Sequence, residues 1–237
     1  MTDVIMEYNE RGAQAFADEY PGAFARAGTA EEALLKLPAE LEKYGAWTGQ
    51  DDFAVPGSFR VVERIKSDAA CVEDGGTTAL FASERLPLDM TEYTQKKALC
   101  IQSAKDVQAL FDSIPQKGRA LVKSRQTFYG RIPQTPREML RHINDTIACY
   151  AACTRIPFEP CEALVENRIR LFRAIEAIPN FLEARVYTAE DGELWTRKKL
   201  LRRILWHDRI HARAMYRRAV TFWQKERICD PFCFSNK

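Results

Sequence analysis

Histidine is scarce in this chain of 237 residues: there are three. Other absences narrow the reading further. No stretch approaches the ~18 consecutive apolar residues of a membrane-spanning helix, so none is expected. The opening MTDVIMEYNERGAQ lacks the basic region and apolar run of a secretory leader, and a cytoplasmic location is expected. Formal net charge is only +2, from 35 basic and 33 acidic side chains, which gives no ground for nucleic acid as the main partner. The seven cysteines are odd in number, and in a reducing compartment free thiols are the default over a disulfide framework. No internal repeat or low-complexity segment is visible. What remains is an ordinary globular composition, 46% apolar and 29% charged, long enough for one large domain or two modest ones.

The first part reads as a small α/β unit. DVIMEY alternates apolar and polar residues as a half-buried strand does. NERGA supplies a turn, AQAFADEY a second strand, and Pro21-Gly22 leads into a third around AFARAG. In TAEEALLKLPAELEKYGAW, Thr29 is placed to cap a helix, with Glu31 and Glu32 in its first turn, where the dipole favours anions. SFRVVERI and TTALFAS read as two more strands around Gly75-Gly76. With Pro21-Gly22 and the run Gly28-Thr29-Ala30-Glu31-Glu32-Ala33, this opening resembles the HicB-like antitoxin fold. The resemblance implies an N-terminal domain over residues 1–85 that can pair with a partner protein through its sheet edge.

From about residue 91 the pattern becomes helical. The predicted helices are MTEYTQKKALCIQSAKDVQALFDSI, then TPREMLRHINDTIACYAACTRI with Thr135 or its neighbour as cap and Pro136 in the first turn, then FEPCEALVENRIRLFRAIEAI. A connector with an Asp191-Gly192 turn leads to the longest helix, capped by Thr196. Four such helices without strands between them argue for a four-helix bundle over residues 91–237. The expected class is therefore α+β: a small α/β domain followed by a bundle.

All three histidines fall on two of these helices: His142 on the second, His207 and His211 on the fourth. At ~100° per residue, His211 lies within ~40° of His207, and Leu200, Ile204, Ile210, Ala214 and Met215 lie within ~80°. Both histidines thus point along an apolar stripe, where an unpaired polar ring costs about 1–3 kcal/mol. A metal ion would partner several rings at once. His-x-x-x-His on a helix face suits one ion, and a third histidine from a facing helix would make a three-ligand site with an open position, as in catalytic zinc. Nickel is an equal candidate, because imidazole suits several divalent ions. The plainer reading is core packing.

TFYGRIPQTPREMLRHINDT and WTRKKLLRRILWHDRIHARAMYRRA, with Trp195 in the connector and WHxxxH on the last helix, resemble the DinB/YfiT-like metalloprotein family in their order, separation and helical context. The resemblance implies an up-down-down-up bundle, a homodimer, and a divalent metal held by His142, His207 and His211. It implies activities such as transfer to or from a low-molecular-weight thiol (mycothiol or bacillithiol in relatives), or hydrolysis, on a small-molecule substrate. The N-terminal extension departs from the family's usual bundle-only form. It leaves open a non-catalytic scaffold or stress sensor that binds a partner protein.

Glu138, one turn before His142, is a candidate general base; a helix-start glutamate favoured by the dipole is the plainer reading. Arg203, one turn before His207, is the arginine expected at the cavity mouth, while the other cations of this helix read as a solvated face. Asp145 is placed to support His142, and Asp208 reads as a surface residue. Cys149 and Cys153 follow His142 on nearly the same face and read as buried structural thiols, and Cys229 and Cys233 as tail packing.

Overall fold

The computed structural model describes residues 1–50, 53–69, 72, 76–127 and 130–235. It is an α+β protein. Strand β1 (Thr2–Asn9) pairs antiparallel with β2 (Gly12–Ala17), β2 antiparallel with β3 (Phe24–Ala27), and β1 parallel with β4 (Phe59–Lys66), giving the sheet order β3-β2-β1-β4. Between β3 and β4 runs helix α1 (Ala30–Trp47), capped as expected by the Thr29 hydroxyl, which accepts from Glu32 N. Helices α2 (Met90–Ser113), α3 (Pro136–Cys153), α4 (Leu164–Glu176) and α5 (Arg197–Phe222) follow. Both α2 and α3 pack against α4 and α5, and they touch each other. Two short hairpins punctuate the loops: β5 (Gln126–Thr127) with β6 (Gly130–Arg131), and β7 (Tyr187–Thr188) with β8 (Leu194–Trp195). In the second, Gly192 takes φ +85°, a conformation glycine adopts without the Cβ penalty.

The sheet is covered on both faces. One face, with Val4, Met6, Ala13 and Ala15, shares a buried cluster with Leu37 and Leu41 of α1. That cluster continues through Val107 of α2, Ile143 of α3 and Ile204 of α5, so the N-terminal and helical segments have one core in common. The other face carries Ile5 and Phe16, packed with Phe24, Phe81 and Trp206 of α5. The strand expected to be half-buried is therefore buried on both sides over Val4–Glu7.

Glu7 sits on the α5-side face with no exposure. Its carboxylate accepts from Ser67 Oγ at 2.5 Å, Thr78 N at 2.7 Å, Ala79 N at 3.1 Å and the Thr77 hydroxyl. A buried carboxylate is tolerable when its lone pairs are filled in this way. Those donors explain why residues 77–81 are not the predicted strand. Their amides bind Glu7, while their carbonyls accept from α5: Thr77 O from Arg203, Thr78 O from Lys199 Nζ at 2.7 Å, Ala79 O from Arg202 Nη2 at 3.0 Å. Side chains satisfy the backbone groups that a strand partner would have taken. A 3-10 turn, Ala82–Arg85, follows. Gly75, in the turn expected between those strands, lies outside the described residues.

Asp208, expected at the surface, is fully buried and paired with fully buried Arg168 of α4, at 3.0 Å and 3.1 Å through both guanidinium nitrogens. Arg168 also donates to Cys100 O of α2 at 3.1 Å. Removing one partner strands a buried charge, so Asp208→Ala should lose about 3–5 kcal/mol of unfolding free energy, whereas the paired change Asp208→Leu with Arg168→Met should lose much less. Denaturant titration of the two variants separates these outcomes. Equal losses would show that the pair is not acting as a buried ion pair.

Candidate metal centre

The threonine caps set where the histidines fall. Helix α3 starts at Pro136 under Thr135, and α5 starts at Arg197 under Thr196, whose hydroxyl accepts from Lys199 N at 3.1 Å. Because α3 packs against α5, His142 meets the His207–His211 face. Ring centroids are 4.9 Å apart for His142–His207, 4.7 Å for His142–His211 and 4.4 Å for His207–His211. One nitrogen from each ring lies within 4.8 Å of the others, and the Nε2 atoms of His142 and His207 are 3.1 Å apart. Nitrogens on a tetrahedral zinc, with bonds of 2.0–2.1 Å, stand about 3.4 Å apart. Among the described residues, this is the one group of three or more ligating side chains gathered closely enough to hold a metal.

The electrostatics favour neutral rings, the ligating form. Burial, then His211 and His142, hold His207 well below the usual imidazole value. Burial, then His142 and the charge of Arg26, push His211 down to about 3. Burial also lowers His142, against a smaller opposing effect from Asp145. His207 Nδ1 is buried without a hydrogen-bond partner. The rings cannot satisfy one another fully, and a shared cation suits this donor set better than a shared proton does.

Around the cluster lie Tyr150, with its ring 6.0 Å from that of His207, and Trp195, 5.0 Å from Tyr150. Arg203 lies over the rings of Tyr150, Trp195 and Trp206 at 5.2–5.3 Å. It is buried, donating to Thr77 O and to Glu193 Oε1 at 3.3 Å, so it closes the inner side of the site and does not stand at a mouth. Glu138 is also placed differently from the expected base. It completes a capping box: its Oε2 accepts from Gln134 N at 2.8 Å and Thr135 N at 3.0 Å, and Arg131 reaches its Oε1 at 3.2 Å. Those bonds lower its pKa, which suits a cap and opposes proton uptake. Thr135-Pro136-Arg137-Glu138 has the capping-box spacing, so this role was present in the sequence.

Among the described residues, no cysteine belongs to the cluster. Cys149 and Cys229 are exposed, Cys153 is half-buried with its thiol pushed up to about 11, and Cys71 lies outside the described residues. No helix is long and apolar enough to cross a membrane among the described residues. No family model, curated protein or solved structure matches the chain.

Histidines kept neutral by the fold make stability depend on pH. Unfolding restores the ordinary value near 6.5, so between about pH 6.5 and 3 the unfolded chain binds more protons than the folded one at His211. The stabilisation is complete above pH 6.5 and declines as the pH falls. Metal-free protein should therefore lose unfolding free energy from pH 7.5 to 5 more steeply than the His211→Gln variant does, as read by denaturant titration at each pH. Parallel curves would contradict a His211 held neutral by the fold.

Proposed function

We propose that this chain is a divalent-metal protein of DinB/YfiT-like architecture, with α2–α5 as an up-down-down-up bundle and His142, His207 and His211 as the ligands. The observation that carries the reading is the convergence of the only three histidines, from two helices, to within 4.8 Å. Nickel or zinc fits three imidazoles best. The β1-β2-β3-α1-β4 order supports likeness of the N-terminal segment to the HicB-like fold.

The activity we infer is metal-dependent transfer to or from a low-molecular-weight thiol, or hydrolysis, on a small-molecule substrate. Such an ion supplies Lewis acidity and lowers the pKa of a bound thiol or water. The chain's own groups do the rest. Arg203, Tyr150, Trp195 and Trp206 exclude water from the inner side and fix the His207 ring, so approach is from the His211 side. Arg203 is thus a positioning residue. The placement of Glu138 favours the second reading, a metal-stabilised scaffold or sensor without its own catalytic base.

Elemental analysis of purified protein tests the site. About one zinc or nickel per chain is expected in the wild type and well under half of that in His142→Ala or His207→Ala. Thiol-transfer and hydrolysis assays on the same samples then divide enzyme from scaffold: turnover lost with the metal supports the enzyme. A folded wild type that takes up no divalent ion would reduce the cluster to helix packing.

A further inference from the structure

A groove of about 1510 Å³ runs between β3 and α1 on one side and the 120–134 segment on the other, floored by the second half of α5. Its charge is lopsided. Eight of its lining side chains are lysine or arginine, and one, Glu40, is a carboxylate. The whole chain carries only +2. Glu40 is already committed, accepting from Arg209 Nη2 at 2.7 Å and Arg213 Nη2 at 2.5 Å. Lys36, Lys43, Lys123, Arg217 and Arg218 have no ion-pair partner among the described residues. Nearer the start of α5 most cations face a carboxylate: Lys198 meets Glu92, Lys199 and Arg203 share Glu193, and Arg202 meets Glu84. An excess of positive charge gathered in a concave surface focuses the field and concentrates anions.

The groove also borders the histidines. Ile210, Arg213 and Ala214 line it on either side of His211 along α5, and Gln134 lines it just before the helix that carries His142. Phe24, at its β3 wall, packs on Trp206, the neighbour of His207. Such a groove is roomier than the ~300–1,000 Å³ of most small-molecule pockets, so it can take a ligand with several charged groups, and Ile210, Arg213 and Ala214 in its floor flank His211.

We propose that this groove binds a small molecule carrying two or more anionic groups, phosphate or carboxylate, with its charged end on the Lys36–Lys43 and Arg217–Arg218 cations and its other end toward His211. This names the substrate class for the site and rests on the metal reading only for the second half of that statement.

The test is calorimetric titration of the full chain with pyrophosphate and, separately, tricarballylate, at low and at physiological salt. Saturable binding is expected for at least one of them, weaker at higher ionic strength. The paired variants Arg217→Gln with Arg218→Gln, and Lys36→Gln with Lys43→Gln, should each weaken it by about tenfold or more while keeping the wild-type circular dichroism spectrum. Arg217, Arg218 and Lys36 are exposed and Lys43 is half-buried, and none of the four belongs to the apolar core. Binding in His142→Ala should match the wild type. Loss of binding together with the metal would place the anion on the ion and overturn the groove assignment. Linear, unsaturable heats, or no effect of either variant, would also overturn it. So would a single-stranded oligonucleotide that binds and is not displaced by excess pyrophosphate. Anion binding by a wild type that takes up no divalent ion would sink the proposed function and leave the groove standing.

Discussion

The buried ion pair between Asp208 and Arg168 is the constraint on which the rest of the arrangement depends. It follows His207 directly in sequence and fixes that turn of α5 against α4 and, through Cys100 O, against α2. The rest of α5 is fastened in the same manner. Lys198 reaches Glu92 of α2, Lys199 to Arg203 hold residues 77–84, and Arg209 and Arg213 hold Glu40 of α1. Burying so many charges costs desolvation free energy that apolar packing would not. In exchange the helix has one rotation and one depth in the fold. That is what a constellation of ligands needs, since rings not held by their neighbours drift from productive geometry.

Against α3 the contacts change character. There α5 presents His207 to His142 and Arg203 to Tyr150, where it elsewhere offers a cation to a carboxylate or carbonyl. The interface that could have been closed by one more ion pair holds three imidazoles instead. Their pKa values are lowered by burial, by one another, and by Arg203, Arg168 and Arg26 nearby. A protein that needed only to pack these helices would do so at lower cost with leucine.

Local chemistry made part of this legible in the sequence. The caps at Thr29, Thr135 and Thr196, the four-residue spacing of His207 and His211, and the alternation in β1 depend on neighbours within a turn or two, and they predict helices and strands close to those found. What was hidden depends on distant partners. Residues 77–81 have strand composition, but Glu7 and three cations of α5 take their backbone groups. Arg203 reads as the arginine of a cavity mouth and Asp208 as a surface residue, and only the approach of Glu193 and Arg168 makes their burial possible. Glu138 is legible locally: the plainer reading of it as a helix-start glutamate agrees with its place in the capping box of α3.

The charges around the histidines also say which way the site faces. On the inner side, each cation near the cluster is matched: Arg203 by Glu193 and Arg168 by Asp208, with aromatic rings filling the space between them. On the outer side, beyond His211, the lysines and arginines of the groove outnumber the carboxylates. Three neutral imidazoles bring no charge of their own, so a divalent ion held there would stand uncompensated beside a groove of the same sign. The combination is electrostatically incomplete. An anion held by the groove would offset that excess, whereas a neutral ligand would leave it uncompensated. The same asymmetry disfavours cations on the outer side, so charge would sort approaching small molecules before shape does.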